Sequence, residues 1–242
     1  MTALTVFSAG SLRYALPEIC HAFHAQTGIE CQLELGPAGL LRQRIEQGEP
    51  CDIFVSASPE HIVRLKQKIQ KSAPLASNKL GIVVRKNFLK TDRTWLDLLA
   101  DESLKIGTST PQNDPCGDYC WQLFDNIEQC YPTFGEKLKQ RALQLVGGSP
   151  SSVKIPEGEM AAAYLLQQGY ADLFIGYAHY QSRLAQIPDL ALLDIPAEFN
   201  PPAIYVTGLL RHNPATTQFF DFLQSEQAKE ILQTNSFGLI KE

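Results

Sequence analysis

A chain of 242 residues, 44% hydrophobic and 19% charged, has the material for one large α/β domain or two lobes of ordinary domain size, and reads as soluble and globular. Its formal net charge of -5, with no basic block and no interleaving of aromatic and basic residues, excludes nucleic acid as a partner. No apolar run approaches the length of a membrane span, so the chain is either cytoplasmic or an exported protein shown without its signal.

Strand and helix signals alternate along the first part. Leu4 to Phe7 reads as a strand that ends in Ser8-Ala9-Gly10-Ser11, and helical spacing of Leu12, Ala15, Leu16, Ile19 and Phe23 predicts a helix from Leu12 to Gln26, closed by Gly28. Small residues at such a turn offer backbone N–H groups and hydroxyls where a helix dipole favours negative charge, which describes an anion seat. An ordinary connection with Ser11 as helix N-cap is the plainer alternative. Ile29 to Leu35 alternates like a second strand, and Gly36-Pro37-Ala38-Gly39 makes another small-residue turn before a helix over Leu40 to Gln47. Asp52 to Val55 is a third strand, ending in Ser56-Ala57-Ser58-Pro59, where Ser58 is placed to cap a helix starting at Pro59. Three such turns would lie at the carboxyl edge of one parallel sheet.

The second part opens with a strand over Leu80 to Arg85, then a short helix from Thr94 to Ala100 and a strand from Leu104 to Thr108. The turn Ser109 to Gly117 precedes helices over Asp118 to Tyr131 and Phe134 to Leu145. A glycine-rich loop from Gly147 to Ser152 leads to a helix over Glu159 to Gln168 and a strand over Asp172 to Tyr177. A last strand, Ala203 to Leu210, and two helices, Pro214 to Gln224 and Glu226 to Thr234, complete the chain. The order fits two α/β lobes, residues 1–79 with 202–242 and residues 80–201, with crossovers near 77–81 and 197–203 and a ligand in the cleft between them.

Six cysteines (Cys20, Cys31, Cys51, Cys116, Cys120, Cys130) permit disulfides but contain no metal-type Cys-x-x-Cys pair. Cys116 and Cys120 share a helix face at the outer limit for bridging. Cys20 with His21 and His24 suggests a half-buried helix face in preference to a metal site.

The series Thr5-Val6-Phe7-Ser8-Ala9-Gly10-Ser11-Leu12, Gly36-Pro37-Ala38-Gly39-Leu40 with Arg42-Gln43 and Ile45-Glu46-Gln47-Gly48, Asp52-Ile53-Phe54-Val55-Ser56-Ala57, Asp114-Pro115-Cys116-Gly117, Glu159 with Gly169, Asp172 and Tyr177, and Phe219 to Leu223 with Phe237-Gly238 resembles the periplasmic molybdate and tungstate binding proteins of ABC importers. The resemblance runs through nearly the whole chain in the family's order. It implies an α/β, two-lobed periplasmic-binding-protein fold of type II, each lobe a mostly parallel sheet flanked by helices, that closes on an oxyanion and presents it to a membrane permease. Ser11 and Gly10, with the N–H groups of Ala38 and Gly39, take the first-lobe contacts; the Cys116 N–H and the Tyr177 phenol take contacts in the second. In one branch of the family the counterparts of Asp114 and Glu159 ligate the metal itself and raise it from four to six coordination. Many relatives carry a serine where this chain has Ala38.

The two acids carry the most information. A carboxylate about 4 Å from a dianion is repelled by roughly 8 kcal/mol at an effective dielectric near 20, so a pocket for a sulfate-like anion should exclude it. Direct bonding to Mo(VI) or W(VI) removes the objection. Their plainer roles are helix N-cap for Asp114 and first-turn acid for Glu159. The expected function is capture without chemistry, by a monomeric periplasmic or cell-surface receptor holding no cofactor, with molybdate or tungstate as cargo. Two alternatives stand beside it: a receptor for another small oxyanion or a chelated metal, and an enzyme whose Cys116, its pKa depressed at a helix N-terminus, is a nucleophile with Glu159 as base.

Overall fold

In a computed structural model, which describes residues 3–89 and 93–240, the first elements are β1 (Leu4–Ala9), α1 (Ala15–Thr27), β2 (Cys31–Gly36), α2 (Ala38–Glu46), β3 (Ile53–Ser56), α3 (Pro59–Arg64) and β4 (Lys71–Asn78). Then come β5 (Leu80–Arg85), α4 (Trp95–Ala100), β6 (Ile106–Ser109), α5 (Pro115–Cys130), α6 (Phe134–Arg141), β7 (Leu143–Val146), α7 (Ala161–Gln167), β8 (Leu173–Tyr177), α8 (Gln181–Leu184) and β9 (Leu190–Asp194). The chain ends with β10 (Ala203–Leu209), α9 (Pro214–Phe222) and α10 (Glu226–Thr234). It divides into two compact units, residues 1–78 with 203–242 and residues 79–202.

The first unit holds a five-stranded sheet in the order β2-β1-β3-β10-β4. β1 pairs parallel with β2 and β3, and β10 runs antiparallel to β3 and β4. Leu4, Val6, Phe7 and Ala9 are all buried, as expected of a strand covered on both faces. On one side α1 buries Leu16, Ile19 and Phe23, and the Phe23 ring meets Phe219 and Phe222 at centroid distances of 4.9 and 5.4 Å.

The second unit repeats the pattern as β7-β6-β8-β5-β9, with β6 parallel to β7 and β8 and β5 antiparallel to β8 and β9. Its core includes Leu123, Phe124 and Ile127 of α5, and α7 packs Ala163, Leu165 and Leu166 against Phe174. Within each unit the crossover helices run back against the strands, so the N-termini of α2, α5 and α7 gather at the carboxyl edges of their own sheets.

Several elements depart from the sequence expectation. α1 begins at Ala15 because a 3-10 turn, Gly10–Leu12, intervenes after β1. β4 has no apolar alternation and contains Pro74, which is tolerated because an edge strand has one side without ladder partners. The helix expected to reach Leu145 stops at Arg141, where Ala142 turns extended (ψ 125°) and Leu143–Val146 joins the sheet beside β6. β9 was equally invisible, its Leu-Ala-Leu-Leu run being decided by pairing with β5. α7 starts at Ala161, leaving Glu159 in the preceding loop. Thr94 caps α4 as expected, in a reciprocal box with Asp97. Ser58 occupies the N-cap position of α3 but makes no side-chain cap bond; its N–H donates instead to Ser56 Oγ at 3.1 Å.

All six cysteines are thiols. Cys20 and Cys31 are hydrogen-bonded to one another, and so are Cys116 and Cys120. His21 and His24 are exposed, and among the described residues no three His, Cys, Asp or Glu side chains converge to hold a metal ion.

Candidate ligand-binding site

In the first unit the turn after β1 is held by specific bonds. The Gly10 carbonyl accepts the Arg13 N–H at 3.3 Å and the Arg13 Nε–H at 2.9 Å, which folds the guanidinium back over the turn. Ser11 is half-buried, and its hydroxyl lies 2.8 Å from the Tyr205 hydroxyl. Ser11 is therefore not the N-cap of α1: that position belongs to Tyr14, which makes no side-chain cap bond, and a 3-10 turn separates Ser11 from the helix. Ala38 and Gly39 are the first two residues of α2, both buried, following Pro37 at the N-cap. Helix geometry leaves such first-turn N–H groups without an internal partner, and no side chain caps them here.

In the second unit the Asp114 carboxylate organises the start of α5. One oxygen accepts the Cys116 N–H at 3.1 Å, which caps the helix, and the other accepts the Ser109 hydroxyl at 2.6 Å. Pro115 follows as the first helical residue, where its missing N–H costs nothing. Tyr177, at the end of β8, is buried beside this corner. Its ring meets Tyr119 of α5 at 6.4 Å, and its backbone hydrogen-bonds the Cys116 thiol. Gly147 closes the corner with a φ of +89°; a Cβ there would sit 2.7 Å from Ser109 Oγ and 2.9 Å from the Thr110 nitrogen.

The enzyme alternative required an activated Cys116. Its thiol pKa is instead pushed well up, first by the hydrogen bond with Cys120, then by burial and the neighbouring Asp114 charge. The depressed pKa expected of Cys116 at a helix N-terminus is therefore corrected: burial and the Cys120 bond act against thiolate formation.

Residues 4–238 match the family model described as bacterial extracellular solute-binding protein. The chain belongs to that family of solute-binding proteins. Among its relatives, this solute-binding protein is 43% identical to an uncharacterized protein of Pasteurella multocida, over 84% of its own length and 85% of the relative's. It is 26% identical to the molybdate-binding protein ModA of Escherichia coli, covering 98% of this chain and 89% of that one. The solved periplasmic molybdate-binding protein of Azotobacter vinelandii superposes with a TM-score of 0.77 at 20% identity, over 98% of this chain and all of that one. The two-lobed α/β fold of periplasmic binding proteins is thereby shown, and the Escherichia coli and Azotobacter vinelandii relatives are named as binding proteins. Among the described residues no helix of the solute-binding protein is long and apolar enough to cross a membrane.

Of the residues singled out in sequence, Asp114, Cys116 and Tyr177 are brought into one corner of the second unit, and Gly10 with Ser11 into one turn of the first. Ala38 and Gly39, expected in a turn before a helix at Leu40, instead open α2 directly after the strand that pairs with β1. Glu159 is exposed in the loop ahead of α7, with its backbone N–H bonded to Pro156. It is therefore not a first-turn helix acid. Sequence reasoning missed Ser109, Gly147 and Tyr205. Ser109 and Gly147 lay inside turns recognised only as small and polar, and nothing local in Ala203 to Leu209 marked its tyrosine as the partner of a serine near the other end of the chain.

Proposed function

We propose that this solute-binding protein captures molybdate or tungstate outside the cytoplasm and delivers it to the permease of an ABC importer. The contacts assigned to the oxyanion are Gly10, Ser11, Ala38 and Gly39 in the first unit and Tyr177 and Cys116 in the second, with Asp114 and Glu159 as ligands to the metal. The Cys116 N–H, bonded to Asp114 in this structure, reaches the anion only if Asp114 turns from it to the metal. The observation that carries the reading is the Asp114 corner. The Asp114 carboxylate caps α5, and Tyr177 packs its ring on Tyr119 of the same helix while its backbone bonds the Cys116 thiol; these are the second-unit residues to which the resemblance set out above assigns the anion.

The charge argument narrows the ligand class. Asp114 beside the N–H groups that would receive the anion opposes sulfate or phosphate, by roughly 8 kcal/mol for a dianion about 4 Å away at an effective dielectric near 20. A d⁰ metal centre converts that repulsion into a bond, because the acid then meets a cation. Glu159, exposed on the loop ahead of α7, is the second acid by the resemblance alone.

Competitive titration calorimetry with molybdate, tungstate, sulfate and phosphate tests the reading. Tight binding of the first two, uncontested by the others, is expected. Binding of sulfate or phosphate at equal affinity, or of none of the four, overturns it. X-ray absorption at the tungsten edge of the complex should show six light-atom neighbours; a four-oxygen shell removes Asp114 and Glu159 from the ligand set.

A further inference from the structure

We infer that Tyr205 is a positioning residue for oxyanion binding, acting through Ser11. The inference rests on the oxyanion reading above and adds to it a residue far away in sequence. Tyr205 lies in β10, which returns to the first unit after the chain has built the whole of the second. It is fully buried, yet its hydroxyl reaches Ser11 Oγ at 2.8 Å.

The surrounding structure fixes that phenol. The pairing of β10 with β4 shifts register between Tyr205 and Val206, a bulge of the kind that re-aims a side chain. Phe237 packs edge-on against the Tyr205 ring, with centroids 5.3 Å apart at 86°. Phe237 is itself tied down by its neighbour: Gly238 exchanges two backbone hydrogen bonds with Ser77, at 2.7 and 2.9 Å. A Cβ on Gly238 would sit 2.4 Å from Ser77 Oγ, so the two residues are in close contact at this clasp. A path of contacts therefore runs from the last residues of the chain, through a rigid aromatic pair, to one serine hydroxyl.

The chemistry follows from the donor count. A serine hydroxyl has one hydrogen to give and lone pairs to receive; an oxyanion only receives. When Ser11 donates to the anion, its oxygen is left to accept from Tyr205, so the hydrogen bonds run Tyr205 to Ser11 to ligand in one direction. Such a relay polarises the middle hydroxyl and strengthens the bond to the charged oxygen. It also removes the need to freeze a freely rotating hydroxyl on binding.

The test is a double-mutant cycle by titration calorimetry with molybdate, using Tyr205→Phe, Ser11→Ala and the pair. Phe keeps the ring packing, and thermal unfolding of each variant verifies that it is folded. Tyr205→Phe should weaken binding about fivefold and Ser11→Ala about twentyfold or more, in line with charge-assisted hydrogen bonds. In the Ser11→Ala background the Tyr205 substitution should then have no further effect, which a merely structural role would not produce. Additive losses, or a Tyr205→Phe protein that binds as the wild type does, overturn the inference and leave the receptor reading intact. A wild-type protein that binds no oxyanion overturns both.

Discussion

The Ser109 hydroxyl donates to Asp114 at 2.6 Å while the other oxygen of the same carboxylate caps α5 through the Cys116 N–H. Asp114 therefore has a structural duty before any ligand arrives. Asp114→Ala should cost about 1–2 kcal/mol in urea denaturation, the usual range for a lost cap. Asp114→Asn, which caps as well as Asp, should unfold close to wild type yet lose oxyanion affinity in calorimetry. An Asn variant with unchanged affinity would reduce Asp114 to a cap.

The glycines of the second unit separate strain from collision. Gly147 and Gly158 have φ values of +89° and +83°, but an added Cβ at Gly147 meets Ser109 and Thr110, whereas at Gly158 it meets nothing within 4 Å. Gly158→Ala should cost about 1 kcal/mol, the left-handed penalty alone. Gly147→Ala should cost more than about 2 kcal/mol, because strain and overlap combine. Denaturant midpoints of the two variants measure the difference.

His61 makes stability depend on pH. Burial, then the Arg42 and Arg64 charges, lower its pKa from 6.5 to about 4, while Ser56 Oγ lies 2.9 Å from its Nδ1. The unfolded chain takes up a proton as pH falls through 6.5, and the folded protein does so only near 4. Stability from this residue is thus complete above pH 6.5 and declines between pH 6.5 and 4, by up to about 3 kcal/mol in all. Chemical denaturation at pH 7.5 and 5.5 should show the decline, and His61→Gln should flatten it.

Thiol reactivity should rank by burial. Cys130 is exposed at the end of α5, whereas Cys116 is buried with its pKa pushed up. Brief treatment with iodoacetamide at pH 8, followed by peptide mass spectrometry, should find Cys130 modified and Cys116 modified only after unfolding. Rapid labelling of Cys116 in the folded protein would reopen the nucleophile alternative.

Legibility in the sequence followed the range of the interactions. β1, β3, β5, β8 and β10 were readable because burial on both faces demands continuous apolar runs, and α1 and α5 because their apolar stripes are long. β4, β7 and β9, all at sheet edges, were not readable, since each owes its extended form to a neighbour; β2, also an edge, was readable by its alternation. In the candidate site, the Asp114-Pro115-Cys116-Gly117 cap could be read from four adjacent letters. The surroundings of Ser11 and Glu159 could not: one is bonded to a tyrosine 194 positions away, and the other lies on a loop ahead of its helix.

By itself the sequence determined the alternation of strands and helices, the small-residue turns at the strand ends and the Asp114 cap, because each rests on periodicity or on contacts within a few residues. Only the tertiary structure decided which hydroxyl faces Ser11, that Asp114 accepts from the Ser109 hydroxyl, and that Cys120 and burial push the Cys116 thiol pKa up. Those outcomes depend on burial and on hydrogen bonds between segments far apart in the chain, and no local pattern encodes where distant segments meet.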